Sequence, residues 1–264
     1  MMVIGIGGAG RAVASQFNKF PEYETLLPEV QKFATVEEYE KNCPKIEKAF
    51  EGTVWVIVSG ASKESGMTLR LMEQFRHCKI KVAYIYPETM FLDDKAKKRN
   101  KVCFNILQEY ARSGLLDSIY LFSNKKMAEL LDTGCITSYY TSINEAISSV
   151  IHYYNYYGGI EPELGNLRDP KEISKIRTFG IYDLEKNEKK MFFLLDNIIE
   201  KCYIINITEQ DLLENKVILS QIKQKVKKDI ENDLNSSFVI FKTNHKANFC
   251  HTINYTHYIQ SEEQ

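Results

Sequence analysis

The chain has 264 residues, enough for one large or two modest domains with real cores, and a 44% hydrophobic content that marks a globular protein. With 34 basic and 35 acidic residues the formal net charge is -1, which excludes a global field that would recruit nucleic acid or an anionic membrane surface. The longest apolar runs, such as Val54 to Val58, fall far short of the roughly 18 to 20 residues that a membrane helix needs.

The first thirteen residues, MMVIGIGGAGRAV, read as strand, glycine turn, helix. Met1 to Ile6 has neither a basic start nor a small-residue cleavage site, so it reads as a strand and not as a signal peptide. Gly5-Ile6-Gly7-Gly8-Ala9-Gly10 satisfies G-x-G-x-x-G, a pattern shared by several nucleotide folds. Glycines there leave backbone N–H groups bare at a helix N-terminus, which is a seat for phosphate. The competing reading is a tight turn without a ligand.

A helix is expected from Arg11 to Phe20, then a polar connection between Pro21 and Pro28, a weak strand over Val30 to Val36 and a surface helix over Glu37 to Phe50. Thr53 to Ser59 is apolar on both faces, as an interior parallel strand is. Gly60 to Gly66 forms a second loop, followed by a helix over Met67 to His77 with Leu69, Met72 and Phe75 on one face. Ile80 to Tyr86 is another buried strand, closed by Pro87. Asp94 to Arg112 reads as a helix with Val102, Ile106, Leu107 and Tyr110 inward and the basic cluster Lys95 to Lys101 solvated. Leu116 to Phe122 is a fourth strand. This alternation predicts a parallel sheet covered on both faces, with ligands at the carboxyl ends of its strands, where both glycine loops fall.

Thr137 to Tyr157 is a longer helix with Ile143, Ile147, Val150, Ile151 and Tyr154 at helical spacing, ended by Gly158-Gly159. Beyond a boundary at Gly159 to Asp169, strands are expected at Thr178 to Leu184, Lys201 to Thr208, Phe238 to Thr243 and His251 to Ile259. One amphipathic helix, Gln210 to Leu234, lies among them, using Leu212, Leu219, Ile222, Val226 and Ile230. The six cysteines are far apart, with no C-x-x-C pair and no metal-ligand spacing, so no metal site is expected and the thiols read as reduced, in a cytoplasm.

This order of parts resembles the tubulin/FtsZ superfamily over nearly the whole chain. Gly7-Gly8-Ala9-Gly10-Arg11-Ala12-Val13 is similar to that family's first phosphate loop, which typically reads GGGGxNAV. Gly60 with Ser65-Gly66 stands where the family has its GGGTGTG signature. The run from Tyr86 to Leu131 tracks bacterial FtsZ in order and spacing. In the long helix Tyr140 and Asn144 match the aromatic and the Asn or Asp that hold guanine, by stacking and by a bidentate amide. Ile204 to Thr208 and Val239 to Thr243 resemble LVNIT and VVIGT of the second domain.

The resemblance implies an α/β fold: a Rossmann-like parallel-sheet nucleotide-binding domain (1-136), a long central helix (137-158), a smaller α+β C-terminal domain (159-260) and a tail (261-264). It implies GTP or GDP held by Gly7, Gly8, Ala9, Gly10, Arg11, Gly60, Ser65, Gly66, Tyr140 and Asn144, with Mg2+ as the accompanying ion. It also implies self-association into a head-to-tail homopolymer, which is a heterologous, non-closing contact, and so cytoskeletal filaments. The loop that completes a neighbour's GTPase site reads roughly NxDxxD in FtsZ. Here Asn166 matches, Arg168 takes the place of the first acid, and Asp169 and Glu172 are offset acids for the same catalytic role. Direct membrane and nucleic-acid partners are not expected.

Two departures bear on function. In the second loop Ser62-Lys63-Glu64 replaces three glycines, and a carboxylate beside a polyphosphate costs Coulomb energy unless Lys63 or a metal offsets it. The segment before Val54 is shorter than in typical members. A second reading therefore keeps the fold and drops the nucleotide, leaving a structural or partner-binding relative with a degenerate site. A third reading is a Rossmann dinucleotide enzyme with Glu37 or Glu38 on the ribose. None of His77, His152, His245, His251 or His257 has a catalytic neighbour in the sequence to support it.

Overall fold

The computed structural model describes residues 1–131, 138–167, 169–183, 186, 188–214, 216–231 and 235–261. The chain divides into two compact units: one is Met1–Val150 with the chain's return at Ile259, the other is Ile151–Tyr258.

The first unit is a five-stranded parallel sheet. In chain order it contains β1 (Met2–Ile6), α1 (Gly7–Ser15), β2 (Glu24–Leu26), α2 (Val36–Lys41), β3 (Thr53–Val58), α3 (Thr68–Gln74), β4 (Lys79–Tyr86), α4 (Asp94–Arg112), β5 (Ser118–Ser123), α5 (Asn124–Leu131) and the first part of α6 (Tyr139–Tyr157). The strands run in the order β2-β1-β3-β4-β5, and every pairing is parallel. Ile6 lies opposite Val58, Val58 opposite Tyr84, and Tyr86 opposite Ser123, so the four long strands end along one edge. That edge carries the loops after Ile6, Val58, Tyr86 and Ser123.

Burial explains why these segments are strands. β1, β5 and nearly all of β3 are buried on both faces, which only a sheet sandwiched between helices permits. Trp55 and Tyr120 lie with ring centroids 4.9 Å apart, and Phe104 packs against Tyr84 and Tyr86 at 5.1 and 5.2 Å. The Tyr84 hydroxyl, buried in this layer, donates to Asn100 Oδ1 at 2.7 Å, so a polar pair is satisfied inside the core.

Several expectations are corrected here. The first helix begins at Gly7, four residues earlier than Arg11, and gives way after Ser15 to a 3-10 turn over Gln16–Lys19. No strand forms over 30–36: β2 lies earlier, at Glu24–Leu26. Thr35 instead caps α2, its hydroxyl accepting from Glu38 N while the Glu38 carboxylate accepts from Thr35 N, a capping box that ends extended structure at Val36. The helix expected over 37–50 is only Val36–Lys41. The second loop is not open coil but a 3-10 turn over Lys63–Met67, and α3 starts at Thr68. On α4 the inward residues include Asn100, Phe104, Leu107 and Gln108, whereas Val102 is 57% exposed.

The second unit holds the rest of α6, β6 (Leu164–Gly165), β7 (Ile176–Asp183), β8 (Glu188–Met191), β9 (Glu200–Thr208), α7 (Glu209–Glu214), α8 (Lys216–Glu231), β10 (Asn235–Thr243) and β11 (Phe249–Thr256). Its strands run β7-β11-β9-β10-β6, and β8 pairs with β7 off this path. β9 and β10 are parallel, and the other pairs are antiparallel. The helical residues expected as one segment over 210–234 are α7 and α8, the crossover that the parallel pair requires. Leu212 and Leu219 pack with Ile222 onto Tyr203, Ile205, Ile207 and Ile240. The side chains of Val226 and Ile230, and the tail beyond residue 261, lie outside the described residues. Among the described residues no helix is long and apolar enough to cross a membrane.

Candidate functional site

The site builds up from β1. At Ile6 the strand stops because Gly7 turns to φ +71°, a left-handed conformation that glycine accepts without strain. From there the chain enters α1 directly, so the first N–H groups of this helix are presented at the carboxyl edge of the sheet. The three glycines differ in what their missing side chains allow. A Cβ on Gly10 would lie 2.3 Å from the Ile57 carbonyl oxygen, so Gly10 lets α1 pack against β3. A Cβ on Gly8 would meet nothing within 4 Å, and this is the open side of the turn. Gly7 faces the second loop, its Cβ direction 3.2 Å from Ser62 Cβ and 3.8 Å from Glu64 Oε2.

The second loop is braced by its own side chains. The Ser65 hydroxyl lies 2.7 Å from the Ser62 carbonyl oxygen and 3.2 Å from that of Gly60, Ser62 Oγ accepts from Glu64 N at 3.2 Å, and Arg99 Nε donates to Ala61 O at 3.0 Å. Gly60 and Gly66 are packing glycines: a Cβ on the first would lie 2.4 Å from the Tyr84 hydroxyl, and on the second 2.3 Å from Val36 O. Among the predicted contacts, Gly60, Ser65 and Gly66 therefore shape the loop, while Ser62 and the Glu64 carboxylate face the first loop at Gly7.

Glu64 is the residue that the sequence flagged as hostile to phosphate. Its carboxylate is paired with a cation: Arg11 Nη2 lies 3.6 Å from Glu64 Oε2 and donates to Pro28 O at 2.6 Å. Arg11 thus bridges both loops and the segment after α1, and Glu64 Oε2 and Arg11 Nε have no hydrogen-bond partner of their own. The offsetting charge is Arg11 and not Lys63, because one turn of helix carries residue 11 back over the loop that Glu64 enters.

The helix α6 reaches the same edge through a contact that the sequence did not suggest. The Tyr139 hydroxyl hydrogen-bonds Glu88 Oε1, and Glu88 follows β4 at its carboxyl end. Burial, followed by the Glu88 carboxylate, pushes the Tyr139 hydroxyl well above its ordinary pKa, so it remains a donor at neutral pH. Tyr140, next to it, is 57% exposed and stands edge-on to Tyr139 at 5.0 Å and 90°. Asn144, one turn on, is half-buried. The structure thus brings Gly7, Gly8, Ala9, Gly10, Arg11, Gly60, Ser65, Gly66 and the Tyr140 end of α6 to one edge of one unit. Glu88 was legible only as a polar residue after Pro87 at a strand end.

Asn166, Asp169 and Glu172 lie in the other unit, between β6 and β7, and all three are exposed. Arg168 lies outside the described residues. The loop leaves β6 at Gly165, where φ is +83° and a Cβ would lie 2.4 Å from Phe238 O. At its far end the buried Glu200 carboxylate accepts from Lys171 N at 3.1 Å and Ser174 Oγ at 3.3 Å. Glu200 was missed in the sequence because its role is set by a contact 26 to 29 residues away.

The sequence matches no protein-family model and no curated protein. Solved structures match over nearly the whole length. One is a GTPγS-form protofilament of TubZ from Bacillus thuringiensis serovar israelensis, with TM-score 0.73, 13% identity, and coverage of 96% of this chain and 85% of that one. An empty FtsZ dimer from M. jannaschii gives TM-score 0.66, 10% identity, and coverage of 96% and 87%. A GTPγS-bound protofilament of CetZ2 from Haloferax volcanii gives TM-score 0.64, 13% identity, and coverage of 96% and 92%. The parallel sheet with its two edge loops, the long α6 and the mixed second sheet are thus a known arrangement, and the fold of this chain is that of the tubulin/FtsZ superfamily.

Proposed function

We propose that the chain binds a guanine nucleotide at the carboxyl edge of its parallel sheet and self-associates head to tail into filaments. The observation that supports this reading is the common edge: the open backbone at Gly8 and the Tyr139–Glu88 bond lie on the same row of strand ends, as a phosphate seat beside an aromatic–amide pair would require. The nucleotide-bound protofilaments among the similar structures support it. Gly7 to Gly10 would hold phosphate through N–H groups and the α1 dipole, Tyr140 would stack on the base, and Asn144 would read its edge. Mg2+ would be held largely by phosphate oxygens, since among the described residues no group of three or more His, Cys, Asp or Glu could hold a metal.

In a head-to-tail pair the loop from Asn166 to Glu172 of one copy would meet the nucleotide of the next. Asp169 or Glu172 would then orient a water toward the terminal phosphate, with Asn166 beside it, and hydrolysis would be a composite, concentration-dependent activity. Calorimetric titration of nucleotide-stripped protein with GTP and with ATP, both with Mg2+, tests the binding. Saturable binding that favours GTP and weakens in Asn144→Ala supports the reading, and absence of binding to folded protein overturns it. Sedimentation over rising protein concentration tests assembly.

One observation favours a nucleotide-independent scaffold instead: Ser62 and the Arg11–Glu64 ion pair occupy the space that glycines would leave open. That reading requires assembly that is indifferent to nucleotide in the same sedimentation experiment.

A further inference from the structure

On the first unit, between α2, α3 and α4, lies a cavity of about 420 Å3 that the nucleotide reading does not use. Its size falls in the range of small-molecule sites, about 300 to 1,000 Å3. Its walls follow from helical spacing. On α4, Lys98, Val102 and Ile106 form one stripe at intervals of four, and Arg99, Cys103 and Leu107 form the next. Val36 of α2 and Leu69 of α3 close the other side, held near each other because Gly66 lets the turn before α3 touch the Val36 backbone. This packing accounts for Val102, 57% exposed on a helix whose other apolar residues are wholly or partly covered. Burial pushes the Cys103 thiol up to about 12, so it stays neutral and serves as apolar wall.

The rim is charged unequally. On the α2 side Glu40 is taken up by Arg70 at 3.4 Å, leaving Glu37. On the α4 side Lys98 and Arg99 form no ion pair among the described residues. Asp93, whose carboxylate is held below its ordinary pKa first by its bond from Ala96 N and then by the Arg99 charge, accepts from Ala96 N at 2.6 Å with Oδ1 as the cap of α4. Two cations without an ion-pair partner thus stand on the α4 side of an apolar trough, against one remaining acid, Glu37, on the α2 side. Arg99, which lines the groove, also touches the second loop, since its Nε donates to Ala61 O at 3.0 Å.

We propose that this groove binds a small soluble amphiphile, an apolar body carrying one anionic head, with Lys98 and Arg99 on the head and Val36, Leu69, Val102 and Ile106 around the body. An anion on the terminal nitrogens of Arg99 fixes the guanidinium whose Nε holds Ala61, so occupancy stiffens the loop over residues 60–66. The site stands independently of whether the chain binds nucleotide.

The probe is decanoate, titrated by calorimetry below its micellar concentration into the full chain without nucleotide. Decyltrimethylammonium serves as the same tail with the opposite charge. The expected result is saturable one-to-one binding of decanoate, at least tenfold weaker in Val102→Trp, which fills the trough from an exposed position, and several-fold weaker in Lys98→Glu. Both variants should melt within a few degrees of the parent chain. Hydrogen exchange at residues 61–66 should slow when decanoate is present. Binding unchanged in Val102→Trp, a cationic amphiphile that binds as tightly as decanoate, or no saturable binding would each overturn the assignment, and unchanged exchange at residues 61–66 would overturn the coupling.

Discussion

Gly8→Ala separates a ligand seat from a structural turn, because the structure gives opposite expectations for stability and binding. A Cβ at residue 8 meets nothing within 4 Å, and the residue is helical without a positive φ. Replacing a helical glycine by alanine should stabilise by about 0.5–1 kcal/mol through the unfolded chain's lost freedom. For a unit of this size that is a rise of roughly 1–4 °C in melting temperature. On the proposed reading the same methyl group would enter the space that phosphate takes at the start of α1. Displacing a phosphate oxygen from one such charge-assisted hydrogen bond costs about 1.5–3 kcal/mol, roughly 10- to 150-fold in affinity. Thermal melting by circular dichroism and calorimetric titration with GTP read the two effects separately. A chain that binds GTP and keeps its affinity in Gly8→Ala, or a variant that loses more than about 1 kcal/mol of stability, would refute the assignment of this open side to phosphate.

Gly10→Ala should do the reverse: its Cβ would lie 2.3 Å from a carbonyl oxygen on an interior strand, so a loss of about 3 kcal/mol or more is expected in denaturant unfolding. Glu64→Gln removes the carboxylate that faces Gly7 and leaves Arg11 without its anion, so GTP affinity should rise by roughly 3- to 10-fold, more at low salt. A fall would mean that Glu64 helps to hold the ligand. Burial pushes His251, stacked on Tyr153 at 6.0 Å, down to about 4, below its unfolded value of 6.5. Its folded form resists protonation, so stability is full above pH 6.5 and falls as the pH drops toward 4, by about 2 kcal/mol after allowance for partial exposure. His251→Phe should flatten that part of the pH profile in denaturant titrations.

The sequence made the parallel half legible because its signals are local. Glycines break Val3-Ile4 from α1, two-faced apolar runs mark β3 and β4, and helical spacing marks α4 and α6. The misses arise where a short local choice overrides periodicity. Val30 to Val36 carries strand-forming residues, yet Thr35 and Glu38 close a capping box, and the Glu24–Leu26 segment pairs with β1 although only three residues long. At the site, residue types were legible but pairings were not. Arg11 was read as a ligand residue and Glu64 as a repulsive one; that they face each other depends on how a glycine turn starts a helix. The Tyr139–Glu88 tie spans 51 residues and carries no local trace.

The second loop holds one more consequence. Ser62 and Ser65 within it and Arg99 from α4 bond its backbone, so much of its shape is set when the chain folds. A glycine-rich loop of the same length keeps its conformational freedom until a ligand orders it, at roughly 1–2 kcal/mol per residue. Here much of that ordering precedes the nucleotide, and a ligand meets a largely preformed wall that selects by shape and charge from the first encounter. Association should then proceed in a single kinetic phase, without the slow closing step that a loop folding around its ligand would add.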